Sequence, residues 1–378
     1  MMESKNLYLI KHRLIMRILI IIAFIFCSQY AFSQIEKGSW LLDFNGKSVY
    51  DYEIDHTFPQ LYLTLGYLPT DFLAVGIKYG GMGYLTDGRN RGTSLYSIFG
   101  RYYMNPSSKN FHFFGQLEGG LLAEYLQDAE TISRWYFAPS AGMSYEVSPG
   151  LGLEVGLGIT FMESLNTGQL RYENLSFSLG WMATISSRSK EALEESEQFF
   201  GRGSITLSAG STLNNAFNQG LGNTLGFTET ELRANPINIS NSSGERGSVS
   251  KFDLSVGFFL SDRTVFNIGL GVINFSELGV SNATTFFAIA PGLRYYIPLN
   301  SERLLLFAQG NYEFGGINLS GFGTETTYQF YSGGAGVNYM IGPSVAIEVG
   351  TDFGRLSWDI IDERPYMFNV FYGLRLFM

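Results

Sequence analysis

The stretch Ser144–Phe161 reads SYEVSPGLGLEVGLGITF, and its pattern decides the fold. From Leu151 to Ile159 every odd position is a bulky aliphatic (Leu151, Leu153, Val155, Leu157, Ile159), while the even positions are Gly152, Glu154, Gly156 and Gly158. A two-residue period makes this a strand with two unlike faces. In a soluble sandwich the apolar face would be the core, and the solvated face would usually carry Lys, Thr or Ser rather than glycine. One of the two faces must therefore be assigned to an unusual inside.

Other segments divide in the same way. The aliphatic face is matched by Val345, Ile347, Val349 and Phe353, by Tyr96, Ile98, Tyr102 and Met104, and by Leu293, Tyr295 and Ile297. The opposite faces hold Gly76 and Lys78; Ser97 and Arg101; Gln116 and Glu118; Asp253, Ser255 and Gly257; Arg294; Gln309, Asn311 and Glu313; and Glu348, Gly350 and Asp352. One face is a greasy band, and the other mixes small residues with isolated charges of both signs. Only in lipid is the first face sensibly outside, because a closed barrel satisfies its backbone internally. The expected fold is all-β, a transmembrane antiparallel up-and-down barrel with glycine lining a narrow lumen crossed by a few long polar side chains. The expected lumen-facing polar residues are Lys78, Arg101, Gln116, Glu118, Glu154, Arg294, Gln309, Asn311, Glu313, Glu348 and Asp352. They read either as a conduction pathway or as a buried network of ion pairs filling the lumen.

The chain is also written twice. Arg101-Tyr102-Tyr103 recurs as Arg294-Tyr295-Tyr296, and Phe114 and Gln116 recur as Phe307 and Gln309, at an offset of 193. Ala141-Gly142, Tyr145, Pro149, Glu154 and Gly156 recur as Ala335-Gly336, Tyr339, Pro343, Glu348 and Gly350 at 194. Each half carries eight period-2 segments joined alternately by short turns (LPTD at 68–71, PSSKN at 106–110, SPG at 148–150; SDR at 261–263, LNSE at 299–302, GPS at 342–344) and longer polar connections such as TDGRNRG from Thr86 and NTGQ from Asn166. With strands of ~10 residues this is the plan of a barrel with short periplasmic turns and long outer loops.

The N-terminus is set aside. Lys11, Arg13 and Arg17 precede the apolar run Ile18–Cys27, and Ala31-Phe32-Ser33 is a small-x-small cleavage site, as in a secretory signal peptide. Cys27 follows Phe26 rather than the small residue a lipidation site requires. The leader holds four basic residues and one acidic one, so the mature chain keeps 21 basic and 33 acidic side chains, a net of −12, and no cysteine. This charge argues against nucleic acid as a partner. Secretion without disulfides points to a Gram-negative envelope. The expected organisation is a signal peptide at 1–33, a first eight-stranded repeat at 34–187, a charged periplasmic linker at 188–200 (RSKEALEESEQFF) and a second eight-stranded repeat at 201–378. The linker's length and charge favour two tandem 8-stranded barrels; one 16-stranded barrel is the alternative. Trp40, Tyr67, Tyr103, Trp181 and Tyr296 are expected near strand ends as interfacial girdles.

This pattern resembles the eight-stranded outer-membrane barrels of the OmpA/OmpX type, in the glycine- and aromatic-rich form common in Bacteroidetes envelopes, here duplicated. The terminal FNVFYGLRLFM, with Gly373, Leu376 and Met378, is similar to that family's C-terminal insertion signal, although the family usually ends in Phe. The resemblance implies the cell outer membrane as location, outer-membrane lipid and lipopolysaccharide as surroundings, and the barrel-assembly machinery as a partner of the last strand.

Function then falls to the loops, above all 211–247, as a structural or surface-binding role. Porin-like passive diffusion is the runner-up, and an outer-membrane lipid hydrolase the less favoured third. Of the two histidines outside the leader, His112 lies beside a turn and His56 stands alone near an outer loop. DIIDERP at 359–365 lacks the regular oxygen-ligand spacing of a calcium loop. No catalytic site, cofactor or metal is expected.

Overall fold

The computed structural model describes residues 36–51, 56–86, 89–104, 110–125, 132–148, 150–163, 170–186, 203–208, 238–244, 247–277, 283–299, 303–319, 324–358 and 366–378. The expected signal peptide at 1–33, the expected linker at 188–200 and the DIIDERP segment lie outside them. Among the described residues every regular element is a strand. The first half forms β1 (Trp40–Asp51), β2 (His56–Thr70), β3 (Leu73–Thr86), β4 (Arg89–Tyr103), β5 (Phe111–Tyr125), β6 (Ile132–Ser148), β7 (Leu151–Glu163) and β8 (Leu170–Ile185). The second forms β9 (Ile205–Ser208), β10 (Asn238–Gly244), β11 (Gly247–Phe259), β12 (Thr264–Glu277), β13 (Ala283–Pro298), β14 (Leu304–Leu319), β15 (Thr324–Gly342), β16 (Val345–Trp358) and β17 (Tyr366–Phe377).

Within β1–β8 and within β10–β17 each strand pairs antiparallel with its successor in a meander. The short turns fall at one end; at Ser148–Gly150 the chain reverses through Gly150 at φ +85°, a backbone shape that favours glycine. Most strands run 12 to 19 residues, longer than the ~10 needed to cross a bilayer. The polar stretch from Arg89, expected as loop, continues the β3–β4 ladder, because backbone pairing persists beyond the point where the apolar pattern stops.

The fold is two 8-stranded barrels, each closed on itself at the turn end. Trp40, Leu41 and Leu42 of β1 pair with Ile185, Thr184 and Ala183 of β8. Thr206, Leu207 and Ser208 of β9 pair with Phe377, Leu376 and Arg375 of β17. Toward the loop end the four seam strands exchange partners. Asn45–Asp51 of β1 pair with Gly373–Met367 of β17, and Leu179–Asn174 of β8 pair with Ile239–Gly244 of β10. The wall there runs continuously through sixteen strands, so the two expected architectures occupy opposite ends of one molecule.

β9 and β10 are two pieces of one split strand. Both lie beside β11, Ser208 opposite Ser255 and Asn238 opposite Asp253. Asn238–Gly244, expected as part of the 211–247 loop, are strand. Its run of Asn and Ser masks the strand in the sequence.

The outward faces are apolar. Ile98 is 70 % exposed, and Tyr96, Tyr102, Met104, Leu157, Leu293, Tyr295, Val349 and Phe353 are also exposed. One sector of that face is covered. Leu151, Trp181 and Ala183 of the first barrel form a buried cluster with Leu207, Val345, Leu374 and Leu376 of the second. The two barrels pack wall to wall at their closed ends, and Leu151 and Val345 serve this contact rather than an outer surface.

The girdle expectation is corrected at three positions. Trp40 and Tyr67 are exposed, with ring centroids 5.0 Å apart. Trp181 lies in the contact between barrels, and Tyr103 and Tyr296 point inward. An aromatic near a strand end does not reveal its face when flanking aromatics disguise the alternation, as in Tyr102-Tyr103.

Candidate functional site in the barrel interiors

Both interiors are built in layers from the same repeated residues. At the turn end of the first barrel, Leu41, Leu68, Ala74, Tyr103, Phe114 and Met182 form an apolar floor. Phe259, Val265, Tyr296, Phe307, Met340, Ala346 and Phe377 do so in the second. Tyr103 and Phe114 correspond to Tyr296 and Phe307 in the repeat. Beside each floor sits a buried arginine whose guanidinium lies over the phenylalanine ring, Arg101 at 4.1 Å from the Phe114 centroid and Arg294 at 3.8 Å from that of Phe307. Such stacking favours a cation that has lost its water.

Glycine makes room for this stack. A Cβ on Gly142 would collide with the Phe114 ring and the Val155 carbonyl, and one on Gly336 with the Phe307 ring and the Val349 carbonyl. The side chain opposite each glycine can therefore lie flat across the lumen. Gly336→Val is expected to push Phe307 off Arg294 and to cost about 1–3 kcal/mol, as overpacked cores do. Gly142→Val should behave alike, and urea unfolding of the folded protein in vesicles measures both.

The expected lumen residues come together as two polar layers. In the first barrel Arg101 donates to Gln116 at 2.9 Å, to Tyr103 at 3.3 Å and to Glu154 at 2.5 Å. Gln116 donates onward to Glu118 at 3.2 Å; Lys78 at 2.5 Å, Ser97 at 3.0 Å and Tyr136 at 2.8 Å also donate to that carboxylate. Glu118 is thus a buried anion with four donors, as a charge away from water requires. In the second barrel Arg294 donates to Gln309 and Glu348, and Gln309 donates to Asp352 at 2.8 Å. Glu313 accepts from Tyr328 at 2.7 Å, and Asn311 projects its side-chain oxygen toward Gly292.

Sequence reasoning missed several members. Arg375 donates to Glu348 at 2.5 Å and to Thr206 at 3.0 Å, bridging β16 to β9. Its counterpart beside β7 is Met182, which pairs with Gly152 as Arg375 pairs with Ala346. Tyr136 and Tyr328 went unassigned because a tyrosine carries no charge to mark it. Asp43, Arg134, Glu146 and His112 are also buried. His112 sets its ring edge-on to Tyr103, with centroids 6.3 Å apart.

A cavity of about 90 Å³ lies beside Lys78, Arg101 and Glu154, floored by Gly156, Gly158, Ser140 and Ser176. That is room for about three waters at their liquid share of volume. Above it Leu95, Leu122, Tyr136, Ala138 and Met162 form a second apolar layer. Among the described residues no three His, Cys, Asp or Glu side chains gather as a metal site.

No family model matches the sequence, and no curated protein does either. Solved structures similar to it are barrels. The CymD monoaromatic hydrocarbon channel is 9% identical over 90% of this chain and 88% of that one, with a TM-score of 0.37. A bacterial polysaccharide outer membrane secretin is 7% identical over 91% and 99%, with a TM-score of 0.44. The N-terminal β-barrel domain of Pseudomonas aeruginosa OprF is 14% identical over 39% of this chain and 98% of that one, with a TM-score of 0.26.

Proposed function

We propose that this chain is an integral outer-membrane protein, of the duplicated OmpA/OmpX-like type, whose barrels anchor surface loops in a structural or binding role without catalysis. The observation that carries this reading is the filled interior. Among the described residues an apolar floor and an ion-paired layer occupy each lumen, and the cavity beside Lys78 in the first barrel is about 90 Å³. The short turns then face the periplasm, where the last strand meets the barrel-assembly machinery, and the loop end faces lipopolysaccharide. Planar-bilayer conductance of the refolded mature chain is expected to be silent; stable large steps would overturn the closed reading in favour of passive diffusion.

The membrane itself is tested at Ile98. A lysine there would place a charge against acyl chains, and Ile98→Lys is expected to cost about 2–4 kcal/mol in vesicle-embedded unfolding if the position is near the midplane. Ile98→Leu is expected to be neutral. An equal tolerance for both would remove lipid from this face.

A further inference from the structure

We propose that the seam between the barrels is a zipper with two states: the fused wall described above, and a second in which each barrel closes on itself along its whole length. The strand registers permit both states. Continued without a slip, the β1–β8 pairing that sets Leu42 opposite Ala183 brings Asn45 opposite Gly180, Val49 opposite Ser176 and Asp51 opposite Asn174. In the other barrel, Ser208 of β9 faces Arg375 of β17. Two positions further along β11, β10 takes over from β9 with Asn238 opposite Asp253. Continued along β17, that position sets Asn238 opposite Gly373, Ser242 opposite Asn369 and Gly244 opposite Met367.

The stretches released by one arrangement are the ones the other needs. In the fused wall Asn45–Asp51 hold Gly373–Met367, and Leu179–Asn174 hold Ile239–Gly244. In the separated state the same β1 residues hold β8, and β10 holds β17. The ladders are of equal length to within one residue pair. No strand slips by a single position, so no side chain changes face. The exchange can run pair by pair, one cross-barrel pair opening as one within-barrel pair forms, and the wall never has to part along its length. The point of exchange lies at the break between Ser208 and Asn238, so the split of β9 from β10 frees the upper piece to move without its lower one.

Asn369 gives the exchange a chemical bias. It is fully buried, and neither side-chain amide atom has a hydrogen-bond partner among the described residues. In the fused register its neighbour on β1 is Val49, a residue without a polar side-chain group. In the separated register it meets Ser242, whose hydroxyl can both donate and accept.

The mature sequence has no cysteine, so paired cysteines report the state directly. In the folded, vesicle-embedded protein, oxidant added after folding is expected to join Val49→Cys with Asn369→Cys and Ser176→Cys with Ser242→Cys, the fused pairs. It is also expected to join Val49→Cys with Ser176→Cys and Ser242→Cys with Asn369→Cys, the separated pairs. Ser176→Cys with Asn369→Cys, adjacent in neither state, should stay reduced. Adding Asn369→Val to the Val49→Cys, Ser176→Cys chain should slow its cross-linking about tenfold, because the unsatisfied amide no longer disfavours fusion. Cross-linking of only one set, fused or separated, would overturn the proposal, as would cross-linking of the diagonal control.

Discussion

Glu348→Ala is expected to destabilise the vesicle-embedded protein by about 3–5 kcal/mol, the cost of leaving a buried partner uncompensated. Two arginines converge on this carboxylate, Arg294 and Arg375, both only 3 % exposed. Removing it leaves two buried cations facing each other, with Gln309 and Thr206 as remaining acceptors. Glu154→Ala in the first barrel strands a single arginine that keeps Gln116 and the Phe114 ring, so its loss should be clearly smaller. Arg375→Met reproduces the first barrel, where Met182 occupies the matching place, and is expected to be better tolerated than either. Urea midpoints of the three variants, refolded in the same vesicles, order these effects. If Glu348→Ala proved no worse than Glu154→Ala, the pairing of two arginines through one anion would be wrong.

Trp181→Ala is the second large effect, also about 3–5 kcal/mol, as for other buried tryptophans reduced to alanine. The side chain is 2 % exposed and sits among Leu151, Leu207, Val345, Leu374 and Leu376, where the two barrels touch. Its indole N–H has no hydrogen-bond partner among the described residues, so the ring contributes through packing alone. Trp181→Phe should therefore retain most of the stability. The cut also separates packing between barrels from packing within one: thermal unfolding of Trp181→Ala should lose its single cooperative transition and resolve into two. A single, merely shifted transition would mean that this cluster does not couple the halves.

The strands, their inward and outward faces and the duplication are legible in the sequence because each rests on a period that survives drift. Leu151–Ile159 alternates cleanly, and Arg101, Phe114 and Gln116 return as Arg294, Phe307 and Gln309. Pairing between strands leaves no such mark. Nothing in Asn45–Asp51 distinguishes β17 from β8 as a partner, since both partners would present the same alternation. Lys78 and Glu118 were legible as inward charges, but their contact depends on strands β3 and β5 curving toward each other across β4. Arg375 was hidden for a different reason. It stands in GLRLFM, read as a terminal signal, and its counterpart is the uncharged Met182, so comparing the halves gave no prompt.

The pairing of Asn45–Asp51 with Gly373–Met367 joins the first strand of the meander to the last. A contact so distant along the chain carries a high loop-closure cost and gives the molecule a large contact order. Until β17 is in place, the first eight strands can seal only through β1 and β8, and the fused wall is completed last, when the C-terminal strand reaches β1.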